Sequence, residues 1–236
     1  MTRFIAEQSF WDLFPQARLG VLIVRGLENT SKDDEAIAQA LSDAHTTALT
    51  HVPAETWTDN EVVSRWRTAF QKFKTKKGAR ASIEALLKRV SAGNTIGSIN
   101  PLVDVYNTIS LQYGVPVGGE DLAAVQGDVR LTLADGGESF RPLGSNADDP
   151  ALPGELIYQD DAGAICRCWN WREAERTMLT ESTTDAIMVL EAVDDSTDET
   201  FWQATEALAL TINLQLGAKV TIYRVTQNNP SIVISA

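Results

Sequence analysis

The stretch ELIYQDDAGAICRCWNW, residues 155–171, decides the fold class. Its first five residues and the eight from Ala164 to Trp171 are short apolar-rich runs of the kind that form strands, and Asp160-Asp161-Ala162-Gly163 supplies turn chemistry between them. Working outward, VRLTLA (129–134) and ESFRPL (138–143) read as two strands upstream, and the intervening GSNADDPALPG (144–154) as a surface loop. AIMVLEAV (186–193) reads as a strand downstream, and KVTIYRV (219–225) closes the chain as another. RLGVLIVR (18–25), a continuous apolar run flanked by glycine, reads as the first strand and as a buried one.

Helical spacing dominates between these strands. Ile37, Ala40, Leu41, Ala44 and Ala48 share one face of a segment from Asp33 to Leu49, with Asp33, Asp34 and Glu35 in the first turn where the macrodipole favours acids. Thr58 and Glu61 form a capping-box pattern ahead of Val62, Trp66, Phe70 and Phe73, which predicts a helix to about Phe73. Ser82 is placed to cap a short helix carrying Ile83, Leu86, Leu87 and Val90. Asn100-Pro101 reads as a cap followed by the first helical residue, Gly114 and Pro116 as the stop, and GVPVGGED as a loop; Asp198 to Leu216 is a long helix ended by Gly217. With no internal repeat and no linker longer than a loop, the expectation is one α+β unit over 1–236, a mixed sheet flanked by helices.

At 236 residues, 44% apolar and 22% charged, the chain has an ordinary globular composition. No run approaches the roughly 18 apolar residues of a membrane span, and Glu7 and Asp12 interrupt the opening segment, so neither a signal peptide nor an anchor is expected. Only Cys166 and Cys168 could form a disulfide; on one strand they would share a face with no turn to join them, which points to a reducing cytoplasm. The net charge of −12 argues, on bulk charge alone, against tight, sequence-independent binding to nucleic acid, and no DNA partner is expected. Its distribution is uneven: Arg65 to Arg89 holds nine bases (Arg65, Arg67, Lys72, Lys74, Lys76, Lys77, Arg80, Lys88, Arg89) against Glu84 alone.

No GxSxG elbow, HExxH, CxxC pair or Walker loop is present, so the common hydrolase, zinc and nucleotide signatures are excluded. His45 and His51 have no useful sequence neighbours and read as ordinary surface or helix-face residues. Two thiols fall short of a four-ligand zinc site, and no metal or cofactor is expected. Glu191 interrupts an apolar strand; alternation puts it with Ile187, Val189 and Val193, so it either enters the core or a pocket or marks a solvent-facing strand end. Arg167, Trp169, Asn170, Trp171 and Arg172 could build a cation-π wall or a strand of structural tryptophans packed on helices.

Segments at 78–191 resemble a known family. GARASIEALLKRV (78–90), SINPLVDVYNTISLQYGVPVGGEDL (98–122), QGDVRLTLADGGESFRPLG (126–144), ELIYQDDAGAICRCWNWRE (155–173) and LTESTTDAIMVLEAV (179–193) together resemble the B3/B4 domain, the editing domain of the phenylalanyl-tRNA synthetase β subunit, in its free-standing form. The resemblance covers about half the chain strictly and leaves about 1–60 as an N-terminal α/β extension. It implies a B3/B4-like α+β fold and an aminoacyl-tRNA deacylase acting in trans, by metal-independent, substrate-assisted attack of water on the ester. Implied partners are the tRNA acceptor end and its aminoacyl group.

In the register of the resemblance, Asn100, Asp104 and Asn107 frame a pocket, with Gly118 and Gly119 in the following loop. Gly118 stands where the synthetases carry a histidine. Cys168, Trp169, Asn170 and Trp171 replace a glycine-rich turn, so that stretch, with Arg167 and Arg172, becomes a bulkier pocket wall. Glu191 falls on the glutamate that recognises a substrate hydroxyl. The resemblance identifies no catalytic side chain. It gives the basic segment a use: Arg65, Lys72, Lys74, Lys76, Lys77 and Arg80 would track tRNA phosphates. A non-catalytic tRNA- or amino-acid-binding module on the same fold is the alternative.

Overall fold

A computed structural model describes residues 1–30 and 35–235; the acids expected at 33 and 34 in a first helical turn lie outside the described residues. The elements follow in the order β1 (Thr2–Ala6), α1 (Gln8–Leu13), β2 (Arg18–Arg25), α2 (Glu35–Ala48), α3 (Glu61–Ala69), α4 (Ser82–Ser91), α5 (Pro101–Tyr113), β3 (Val117–Asp121), β4 (Val129–Leu133), β5 (Leu156–Asp160), β6 (Gly163–Arg167), β7 (Arg172–Glu173), β8 (Asp185–Ala192), α6 (Asp198–Leu216), β9 (Lys219–Val225) and β10 (Ser231–Ser235). The class is α+β. A six-stranded mixed sheet runs β10-β1-β4-β5-β6-β7, with β1 and β4 parallel; a four-stranded antiparallel sheet runs β3-β8-β2-β9.

Alternation along β2 and β8 assembles the layers. Leu19, Val21, Ile23 and Ile187 join residues of the six-stranded sheet, among them Leu131, Tyr158 and Ile165, in one core. Leu22, Val24, Ala186, Met188 and Leu190 point the other way and meet α5 and α6 in a second. Burial on both faces explains why RLGVLIVR is apolar throughout rather than alternating. Gly20 lets α6 approach, because a Cβ there would lie 2.6 Å from the Thr205 hydroxyl. β1 and β2 lie within the two sheets, so the segment before residue 60 is woven into both.

Several expectations are corrected. ESFRPL forms no strand: Pro142 lacks an N–H for a ladder, and the segment makes only an isolated bridge from Pro142 to Ala174. GVPVGGED is no mere loop, since VGGED is β3, paired with β8 from Val117↔Leu190 to Asp121↔Ala186. Gly119 is required there, a Cβ falling 2.4 Å from the Met188 sulfur and 3.2 Å from the Ile187 carbonyl oxygen. AICRCWNW is not one strand, because β6 stops at Arg167 and the chain turns through Cys168 (φ 48°) and Trp169 (φ 63°).

RLGVLIVR is preceded by β1, and KVTIYRV is followed by β10, which pairs with β1. The helix after Thr58 ends at Ala69 rather than near Phe73 and is preceded by Asn60, whose side chain bonds Ala54 N and Trp57 O instead of capping. Ser82 is the first helical residue of α4 rather than its cap. The α5 start is as expected: Asn100 Oδ1 accepts from Val103 N, Pro101 is the first helical residue, and Gly114 ends the helix in the left-handed conformation.

Candidate functional site

A cavity of about 530 Å³ lies between the sheets, walled by β3, β8, β5 and β6 and closed by α4, α5 and the turn after β6. The register explains which side chains enter it. Gly118 faces Val189 across the β3–β8 pair and Glu120 faces Ile187, and cross-strand partners share a face, so all four point to the side that carries Glu191.

Glu191 is 3% exposed and lies in the cavity wall. The Tyr158 hydroxyl donates to its Oε1 and the Asn170 amide to its Oε2. Burial pushes its carboxyl up to about 7, against the pull of those two donors and of the nearby Trp169 indole N–H. The solvent-end reading of Glu191 is thereby excluded. Asn170 is itself held at both ends, since its Oδ1 accepts from Ser82 N at 3.2 Å in the first turn of α4. Two left-handed, non-glycine residues just before it cost of order 1–3 kcal/mol each, and they are what swing the Asn170 amide toward Glu191 while burying the Trp169 indole.

Seven of the expected substrate-side residues line the cavity: Asn107, Gly118, Gly119, Asn170, Trp171, Arg172 and Glu191. Four do not. Asn100 is spent on the helix start, bonding Asn29, Val103 and the Leu179 carbonyl. Asp104 accepts from Ile99 N at 2.9 Å and from the Ser98 hydroxyl, closing the loop before α5. Arg167, its side chain 1% exposed, forks onto Glu155 at 2.8 and 2.6 Å and reaches Asp149 Oδ2 at 3.2 Å. Trp169 is fully buried among Phe10, Phe14, Trp66 and Phe73. The structural-tryptophan reading therefore holds for Trp169, while Trp171 and Arg172, stacked 5.4 Å apart, face the cavity.

Four further lining residues are not singled out by the sequence reading: Tyr158, Tyr106, Glu120 and Glu173. The signal for Tyr158 is the alternation of ELIYQ, which puts Leu156 and Tyr158 on one face; the signal for Glu120 is concealed when its strand is read as a loop. Cys166 also lines the cavity, but burial pushes its thiol well up, so it is no thiolate nucleophile; the Cys168 thiol is pushed up to about 12, also by burial first. Both histidines serve the frame: His45 Nε2 accepts from Ile96 N, and His51 bonds the Gln112 carbonyl. Among the described residues no group of three His, Cys, Asp or Glu is arranged to hold a metal ion, and no helix is long and apolar enough to cross a membrane.

The basic segment is divided. Arg65 pairs with Glu61, Arg67 with Glu84 at 2.7 Å, and Lys76 with Asp149. Lys72 lies over the Phe14 ring and donates to the Leu13 carbonyl. Lys74 and Lys77 are exposed, and Arg80, half-buried, shares with Arg67 and Lys88 a second depression of about 350 Å³ on the flank of α4. Arg89, on the same helix, reaches the main cavity.

Comparison with known proteins gives three results. The model of the B3/4 domain family matches residues 65–209. A phenylalanine–tRNA ligase β subunit from Shewanella oneidensis is 34% identical over 68 residues, 28% of this chain and 8% of that protein. In fold, the chain is similar to an N-terminal fragment of the phenylalanyl-tRNA synthetase β subunit from Pyrococcus horikoshii, with a TM-score of 0.52 at 12% identity over 95% of this chain and 54% of the fragment. The chain thus spans about half of that fragment and under a tenth of the curated relative.

Proposed function

Because this chain belongs to the B3/4 domain family, we propose that it hydrolyses the ester of a mischarged aminoacyl-tRNA in trans, with the aminoacyl group in the main cavity. The observation that carries this reading is Glu191. Its carboxylate offers about four acceptor sites, of which Tyr158 and Asn170 engage two and the Trp169 indole N–H lies near, so a substrate hydroxyl or amine can add a further donor. A side chain lacking that donor would leave the buried acceptor short of a partner, which is the kind of recognition that discriminates strongly.

The chemistry asks little of the protein. An aminoacyl ester is already activated, so a water held in line with the carbonyl carbon, with the terminal ribose hydroxyl assisting, supplies acceleration without a nucleophile–base pair. The water adds to the carbonyl carbon, the ester C–O bond breaks, and the ribose oxygen leaves with a proton. Asn107, Gly118, Gly119, Asn170, Trp171, Arg172 and Glu191 contact the aminoacyl end; Asn100, Asp104, Arg167 and Trp169 hold the frame around it. The acceptor stem lies along the basic flank of α3 and α4. Lys74, Lys77 and Arg80 meet phosphates directly, while Arg65, Lys72 and Lys76 add to the local potential from within their pairs.

The test is release of labelled amino acid from a panel of correctly and wrongly charged tRNAs, with chelator present. Rapid release from a mischarged species supports the proposal. tRNA binding without release from any species points instead to a binding module.

A further inference from the structure

The cavity contains a second acidic feature that recognition by Glu191 does not use. Glu120 is 8% exposed, and its Oε2 is buried with no hydrogen-bond partner. It faces the cavity from β3, opposite Ile187. Glu173, from β7, lies over the same strand: a Cβ built on Gly118 would meet only Glu173 Oε1, at 3.5 Å. The absence of a side chain at 118 is what gives the Glu173 carboxyl its place, and the Gly119 N–H helps hold it there.

The groups around this pair are mostly acids. Tyr106 approaches from α5, Cys166 from β6 and Asp160 from β5, and the Thr177 hydroxyl, itself without a partner, lies near Glu120 and pulls its carboxyl down. Arg176, the cation nearest Glu120, is already forked onto Asp160 at 2.8 and 2.9 Å. Arg172, beside Glu173, is exposed and stacked on Trp171. Two buried carboxyls with no buried cation committed to either hold their protons more tightly than exposed ones do. Burial raises Glu120 first and the charge of Glu173 second; burial likewise brings Glu173 up to about 7.

We propose that Glu120 and Glu173 form a subsite for a primary ammonium group, the α-ammonium of the aminoacyl moiety whose side chain reaches Glu191. An ammonium has three donors and one positive charge, which match the open Oε2 of Glu120 and the Glu173 carboxylate. On entry it replaces one carboxyl proton, which passes to solvent, so that the ammonium charge offsets the carboxylate charge created and the net charge of the occupied site equals that of the empty one. The position of the amine within a charged tRNA rests on the hydrolytic reading. The subsite itself does not.

Calorimetric titration with tyramine, which carries a primary amine and a phenol but no carboxylate, tests this directly. Run at pH 6 in two buffers of different ionisation heat, it reads the protons released. The wild-type protein is expected to bind tyramine and release about one proton, since the pair would be largely protonated beforehand. Glu120→Gln and Glu173→Gln, nearly isosteric and relieved of a like charge, should remain folded on urea titration and bind about tenfold to a hundredfold more weakly. N-acetyltyramine should not bind. The proposal is overturned if tyramine fails to bind the wild type, if N-acetyltyramine binds as well, or if both Gln variants bind as the wild type does. Tyramine binding with proton release, but no turnover of any charged tRNA, sustains the subsite and rejects the hydrolytic reading. Equal turnover of N-acetylated and free aminoacyl-tRNA does the reverse.

Discussion

Replacing Glu191 with Gln should change how stability depends on pH before it changes anything else. The Glu191 carboxyl rises from an ordinary 4.5 to about 7, burial being the cause. A folded-state value above the unfolded one means the native protein holds its proton more tightly. This group's contribution is therefore best preserved below about pH 4.5, is lost progressively as pH rises toward 7, and is flat above. At about 1.4 kcal/mol per pH unit, the rise corresponds to about 3 kcal/mol in all, withdrawn mainly between pH 4.5 and 7, of which about 2.5 kcal/mol falls above pH 5. The substituted glutamine cannot ionise. Its side-chain oxygen can still accept from Tyr158, although its amide meets the Asn170 amide donor-to-donor, which lowers stability by a similar amount at every pH. Urea titrations of both proteins from pH 5 to 9 should give stability curves that converge or cross, their difference changing by about 2.5 kcal/mol with a midpoint near pH 6 and little further change above 7. Parallel curves would show that Glu191 titrates as an exposed carboxyl does, and the argument from its burial would fail.

Other perturbations separate frame from site. Arg167→Met leaves Glu155 buried and unpaired and should cost about 3–5 kcal/mol in urea unfolding; a loss of ligand binding with unchanged stability would return Arg167 to the site. Gly119→Ala drives a methyl group into Met188 and should cost about 1–3 kcal/mol, part of which Met188→Val restores; a neutral single variant would mean that β3 does not approach β8 so closely. Joint Lys74→Ala and Lys77→Ala should make the salt slope of tRNA binding shallower by about one for each phosphate no longer neutralised. An unchanged slope would make them solvated surface.

The elements legible in the sequence are those whose burial is simplest. β2 lies in the middle of its sheet with both faces covered, so a continuous apolar run identifies it. α5 carries its own punctuation in Asn100, Pro101 and Gly114, and α6 is ended by Gly217. The losses have specific causes. β3 is rich in glycine and acids because it lies close against Met188 and lines a cavity, so its composition follows the site rather than strand propensity. The CRCWNW turn bends through non-glycine residues that carry no turn signal. β1 and β10 stabilise each other across the length of the chain, a pairing that no local pattern announces. At the site, Glu191 can be singled out because a carboxylate breaks an apolar alternation, whereas Glu120 and Glu173 sit in segments already polar. Arg167 and Trp169 group with their neighbours by proximity in sequence, but Arg167 is forked onto Glu155 and the Trp169 ring lies among Phe10, Phe14, Trp66 and Phe73, so neither lines the cavity.

The most direct measurement is the ratio of ester hydrolysis rates for tyrosyl and phenylalanyl groups carried on the same tRNA, with wild-type protein and with Glu191→Gln. The account predicts that the wild type favours the hydroxyl-bearing group and that the preference largely collapses in the variant while the folded fraction is unchanged. Hydrolysis of both esters at the same ratio by the two proteins, or of neither by the wild type, would contradict it.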